Sequence, residues 1–145
     1  MRRGQNPVRA ENASIDAPAK ITVVQSQAAK LKQTFFQITD ISQLGTPQEV
    51  ISFLLPPTTR TLSSSVRTIE QPPKDTGTVM GVIQRDPVII YRYEVILPTG
   101  QHAQVAVGAL LGQVYLLGGS VREQDWERCR DDLTAVADSF RVLPR

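Results

Sequence analysis

A single cysteine, a single histidine and the lack of any long apolar run exclude more from this chain than any one motif adds. One cysteine, Cys129, forbids an internal disulfide and every zinc site built from several thiolates. One histidine, His102, means that a catalytic pair, a catalytic triad or a metal cluster would all have to use the same ring. The apolar runs stop after a few residues, short of the roughly 18 that a membrane-crossing helix needs. Charge of one sign is lacking as well. Sixteen basic and fourteen acidic residues leave +2, and the two signs are interleaved. That is too little for phosphate-driven binding, and the few aromatics sit at packing positions instead of along a basic stripe. Nucleic acid is not an expected partner.

What is present is ordinary: 41% hydrophobic and 21% charged residues over 145 positions, the size of one domain with one core. Residues 1 to 19 are polar, contain Pro7 and Pro18, and read as a flexible amino-terminal tail before a domain over 20 to 145. Arg2 and Arg3 have no apolar segment behind them, so they are not an export signal; for an exported protein the targeting segment is absent from this chain.

The β-branched run Ile21 to Val24 predicts a strand, and residues 28 to 38 stay open between a strand and a short amphipathic turn. Thr46-Pro47-Gln48-Glu49 is a capping box with proline at the first helical position. The helix it opens should turn Val50, Phe53 and Leu54 inward and stop at Pro56-Pro57. Residues 63 to 70 alternate weakly, and Val79 to Gln84 reads as the next strand. In the long strand that follows, Ile89, Tyr91, Tyr93, Val95 and Leu97 share a core face, with Arg92 and Glu94 opposite. After the Pro98-Thr99-Gly100 turn, Ala103, Val105 and Val107 lie on one side and His102, Gln104 and Ala106 on the other. Val114 to Leu117 makes a further strand that Gly118-Gly119 should end. Ser120 and Glu123 then read as the capping box of a helix with the stripe Trp126, Cys129, Leu133, Val136 and Phe140. Strands and helices without regular βαβ alternation predict an α+β domain with an antiparallel sheet.

Several pieces occur here in one order: LGTPQEV (44 to 50), YRYEV (91 to 95), TGQHAQVAV (99 to 107), GQVYLL (112 to 117), and an ending in which Trp126 is followed by Leu133 and Ser139-Phe140. In that order and spacing the chain resembles the PsbP family of extrinsic photosystem II proteins. The resemblance implies an antiparallel β-sheet flanked by helices on both faces. It also implies a non-enzymatic extrinsic or assembly factor of the oxygen-evolving complex, peripheral on the thylakoid lumen side of a chloroplast or cyanobacterium. Its partners would be photosystem II subunits or another thylakoid membrane complex, including photosystem I or NDH assembly, and its role could extend to calcium and chloride retention. Family members usually open with an aromatic-glycine-phenylalanine strand pair followed by proline and tryptophan. Residues 1 to 20 do not match this, which leaves two expectations open: a truncated or mis-started chain, or a divergent member whose sheet lacks amino-terminal strands.

The resemblance also implies a metal contact through His102 and Glu123, weak binding of calcium, manganese or zinc. Against it, Glu123 already has a place in a capping box, and two ligands make only an open site. Cys129 lies on the apolar stripe, where a thiol packs as a small hydrophobe, and no G-x-S-x-G elbow is present, so no catalytic residue is expected. Gly118-Gly119-Ser120 lacks the spacing of a phosphate-binding loop. Lys30, Lys32, Arg92, Glu94, Arg122 and Arg130 remain as charges for docking another protein. The alternative reading is a small-ligand or metal carrier using the sheet around Tyr91, Tyr93 and His102.

Overall fold

The computed structural model describes residues 8–13, 19–31 and 38–142. Its frame is a six-stranded antiparallel sheet built from β1 (Val8–Ala13), β2 (Lys20–Gln27), β3 (Arg60–Ile69), β6 (Val88–Ile96), β7 (Gln101–Leu110) and β8 (Gln113–Arg122). The spatial order is β1-β2-β8-β7-β6-β3. β4 (Lys74–Asp75) and β5 (Val82–Ile83) pair separately as a small arm. The helices are α1 (Ala28–Leu31), α2 (Pro47–Leu54) and α3 (Trp126–Asp138), with 3-10 turns at Ile41–Leu44 and Glu123–Asp125.

The period-two pattern of β6 and β7 separates two cores. Tyr91, Tyr93, Val95, Ala103, Val105 and Val107 point to one face and pack against Val50 of α2 and against Ile41 and Leu44 of the first 3-10 turn. Ile90 and Ala106 point to the other face and meet Ala137 and Val142. Beside them Val121, Trp126, Cys129 and Leu133 close a third cluster under α3. The fold is thus α+β with helices on both faces of an antiparallel sheet. Thr46 caps α2 as its sequence predicts: its hydroxyl accepts from the Glu49 amide and the Glu49 carboxylate accepts from the Thr46 amide. Of the apolar residues of α2, Val50 is buried and Leu54 half-buried, but Phe53 is 39% exposed, and Ile51 packs on the core.

Several expectations are corrected. The stretch read as a tail contains β1, which pairs antiparallel with β2 from Val8↔Val24 to Ala13↔Lys20. Ladder bonds are made by backbone, so a polar segment with no hydrophobic signal can still cover an otherwise open strand edge. The rest of that stretch, residues 1–7 and 14–18, lies outside the described residues, as do 32–37 of the ambiguous segment, whose start is α1. The strand expected over Val79 to Gln84 shrinks to Val82–Ile83. Gly77 and Gly81 adopt left-handed φ of 66° and 69°, and the Thr76 amide bonds the Gly81 carbonyl at 2.9 Å, closing a tight arm tip.

The largest correction concerns the start of the last helix. Gly118-Gly119 does not end β8; the strand runs to Arg122, with Ser120 paired to Lys20 on one side and Ala103 on the other. Ser120 is therefore a ladder residue and caps nothing. The helix begins at Trp126 after a 3-10 turn. Asp125 precedes it without a side-chain cap, its carboxylate being held by Arg122 and Arg128 at 3.1 Å each. The buried stripe is Trp126, Cys129, Leu133 and Ala137, with Val136 only half-buried.

Gly119 in β8 serves a close approach. A Cβ at Gly119 would lie 2.8 Å from Leu133 Cδ2 and 3.1 Å from Ile21 Cδ1. Leu133 is itself buried and has little room to withdraw. Gly119→Ala is expected to lower stability by about 1–3 kcal/mol through overpacking, measured as a lower urea midpoint with an unchanged m-value. An equal or higher midpoint would mean that α3 can lift from the sheet without cost.

Candidate functional site

His102 is the second residue of β7, on the α3 face of the sheet, and its side chain is only 5% exposed. Both ring nitrogens meet carboxylates: Nδ1 lies 2.9 Å from Glu123 Oε2 and Nε2 lies 3.0 Å from Glu94 Oε2. A ring with a proton on each nitrogen can donate to both. Trp126 stacks on the same ring, with centroids 3.4 Å apart and planes 5° from parallel.

Each partner arrives by a local rule. The β6–β7 register pairs Ile96 with His102 and Glu94 with Gln104, so Glu94 is the diagonal neighbour of His102 on the same face. Glu123 opens the 3-10 turn that carries the chain from β8 over the end of β7, and Trp126 follows as the first residue of α3. The resemblance paired His102 with Glu123, and the two side chains do meet; the sequence pattern gave Glu123 a capping role, which β8 removes by running to Arg122. Glu94 was placed on the right face without being matched to His102; strand register was the missing information.

Next to this cluster lies a second one. Arg92 is 9% exposed in its side chain; its Nη1 pairs with Asp138 Oδ1 and its Nη2 donates to Gln104 Oε1 at 3.0 Å. Arg67 from β3 reaches the same Asp138 oxygen at 3.2 Å, so two guanidiniums share one carboxylate. Arg92 Nε is buried with no hydrogen-bond partner among the described residues. The expectation that Arg92 is free for docking is thus corrected, because it is spent inside. Glu94 is spent as well, on His102. Arg122 and Arg130 are exposed, with carboxylate neighbours on their own segment; Lys30 is exposed, and Lys32 lies outside the described residues.

The carrier reading loses its surface. Tyr91 and Tyr93 face α2, on the opposite side of the sheet from His102, and their hydroxyls donate to the carbonyls of Gly45 at 2.8 Å and Pro47 at 2.6 Å. Burial pushes the Tyr93 phenol well above its ordinary value of 10.0, helped by Tyr91. Burial, then the charges of Asp40 and Glu49, raises that of Tyr91. Below pH 10 both phenols are protonated in the folded and unfolded states, so they add no pH dependence. Above about pH 10 the unfolded chain releases protons that the folded chain retains, and stability falls. Tyr93→Phe is expected to cost about 1 kcal/mol at neutral pH, where the Pro47 hydrogen bond is lost, and to flatten the fall above pH 10. Urea midpoints of both proteins between pH 7 and 11 measure it; parallel curves would contradict it.

Cys129 is buried with Val121, Trp126 and Leu133, in agreement with its reading as packing. For a metal, the donors around His102 do not converge. Glu94 and Glu123 meet opposite nitrogens of the ring, so no more than one nitrogen and one carboxylate share an edge. Among the described residues no group of three or more His, Cys, Asp or Glu is arranged to hold a metal ion. A closed four-ligand centre does not fit here. What the cluster does is tie the β8–α3 junction to β6 and β7 through two carboxylate contacts on one imidazole and a ring stack.

One family model matches among the comparisons with known proteins. A model of the PsbP family matches residues 11–142, a span that contains all six strands in whole or part and both helical layers. Among solved structures, the solution structure of cyanobacterial PsbP (CyanoP) from Synechocystis sp. PCC 6803 is similar over 99% of this chain and 79% of that one, with a TM-score of 0.61 and 15% identity. At that identity the likeness speaks for the fold. No curated protein sequence matches.

Proposed function

Because this chain belongs to the PsbP family, we propose that it is a photosystem II accessory protein of the thylakoid lumen, acting by binding protein subunits and catalysing no reaction. The observation that carries this reading is the family match across residues 11–142, because it takes in five strands of the sheet whole, part of β1, and α3. Among the described residues no helix is long and apolar enough to cross a membrane, which fits peripheral attachment. The reading extends to photosystem II subunits as partners and to support of calcium and chloride retention at the oxygen-evolving centre; service to photosystem I or to the NDH complex is the alternative within the same family.

Crosslinking of the full chain to isolated thylakoid membranes, with partner identification and a graded salt wash, tests it. Photosystem II subunits among the products and release by salt support the reading. Photosystem I or NDH subunits alone would move the protein to the alternative, and recovery of soluble lumen proteins alone would sink both.

The weak metal contact at His102 and Glu123 has one supporting observation: Glu123 is 60% exposed and its carboxylate stands 2.9 Å from Nδ1, so a cation reaching from solvent would meet one nitrogen and one oxygen. Calorimetric titration with zinc, manganese or calcium, with His102→Ala as control, decides it. Equal heats for the two proteins would remove His102 from any metal role.

A further inference from the structure

β3 ends the six-stranded sheet, and among the described residues nothing pairs with its outer side. It is a ten-residue strand with eight residues exposed, and of the devices that blunt an edge it lacks proline and lysine and carries only two arginines and a bulge. Its one irregularity is a bulge between Thr61 and Ser63. That bulge has a consequence for charge. Arg60 pairs with Ile96 and Arg67 with Ile90, so both arginines fall on the α3 face, together with Ser63 and Ser65; without the bulge they would face opposite ways.

The α3 face is open at this edge because α3 packs against β7 and β8. The space it leaves is a polar cleft of about 200 Å³ whose walls include Ser63, Ser65, Arg67, Arg92 and Asp138. Arg67 shares the Asp138 carboxylate with Arg92 and also donates to the Asp138 carbonyl at 3.0 Å, and Arg60 has no acidic partner among the described residues. If Arg67 turned outward, Asp138 would keep Arg92. On the other face Val66 is 53% exposed, and at the bulge Leu62 is 41% exposed. The edge is therefore cationic and hydroxylic on one face, while on the other Val66 stands as an apolar residue among Thr61, Ser64 and Thr68, with Leu62 beside it at the bulge.

We propose that β3 is a docking edge for an extended acidic segment of a partner protein, which adds as a further strand with carboxylates toward Arg60 and Arg67 and apolar side chains toward Leu62 and Val66. Backbone ladder bonds supply the attachment and the alternating faces supply the choice of partner. A second copy of this chain fits less well, since two β3 strands side by side bring four guanidiniums together with no carboxylate on either strand. The biological partner rests on the protein-binding function proposed above. A peptide measurement reads the edge alone, so the two can fail separately.

The probe is a fluorescein-labelled peptide, Glu-Val-Thr-Val-Thr-Val-Glu, titrated with the full chain at low salt and followed by anisotropy, with hydrogen exchange of the β3 amides in parallel. Saturable binding and slowed β3 exchange are expected. Arg60→Glu with Arg67→Glu should weaken binding about tenfold, and a peptide with lysines in place of its glutamates should regain it on that variant. Arg60→Glu alone, which leaves the Asp138 pair intact, should give a smaller loss in a protein of unchanged circular dichroism. No saturable binding, binding indifferent to charge reversal, or unaltered β3 exchange would overturn the proposal. So would a dimer in solution with β3 amides already protected, which would give the edge to a second copy.

Discussion

Trp126→Ala should lower the stability of the fold by about 3–5 kcal/mol, the range for truncating a buried aromatic, and the thermal midpoint by roughly 10–20 °C. Trp126 is 6% exposed, stacks on His102 and packs with Val121, Cys129 and Leu133 under α3. Its loss leaves more than a cavity. The indole is the lid over an imidazole whose two nitrogens hold Glu94 and Glu123, and water entering beside the ring would loosen both contacts. Because Trp126 is the only tryptophan, the measurement is thermal melting by far-ultraviolet circular dichroism and not by emission. Trp126→Phe keeps a ring against His102 and should recover more than half of the loss. If the alanine variant melted within about 3 °C of the parent, about the shift expected for 1 kcal/mol or less in a domain of this size, α3 would owe its position to Cys129, Leu133 and Ala137.

The same cluster shows which parts of this fold can be read from residues. The faces of β6 and β7 follow directly from alternation, and Thr46 with Glu49 marks the start of α2 without ambiguity. Gly118-Gly119 misleads, because two glycines look like a turn while here both stay in the ladder and Gly119 removes a side chain where Leu133 presses on the sheet. Once β8 is extended, Ser120 passes from cap to ladder and Glu123 is released to reach His102. Both changes follow from a tertiary contact that no local pattern carries. β1 was invisible for a related reason: its pairing with β2 is made by backbone, and its sequence, VRAENA, has no apolar period to announce it. Within the site, His102 and Glu123 were legible as a pair through the resemblance. Glu94 and the burial of Arg92 were not, because both depend on register and on where α3 ends.

Asp138 is the other position where a single change should tell. It is the last residue of α3, where the helix dipole disfavours a carboxylate, and it is tolerated there because cations surround it. Arg92 and Arg67 both pair with its side chain, while Arg67 and Arg141 donate to its carbonyl at 3.0 and 2.7 Å. Asp138→Ala would leave the Arg92 guanidinium, buried and already carrying an unpartnered Nε, with only Gln104. Stripping one partner from a fully buried pair costs about 3–5 kcal/mol. Asp138 is 48% exposed, so water can enter the vacated place, and the expected loss is nearer 2–3 kcal/mol. Arg92→Met in the same protein removes the stranded charge and fills the space with an unbranched apolar chain. The double variant should therefore be more stable than Asp138→Ala alone, which is the reverse of what additive losses predict. Urea unfolding of the four proteins of that cycle gives the coupling directly. A double variant weaker than either single one would mean that Arg92 holds the sheet by its own packing and that its charge is hydrated.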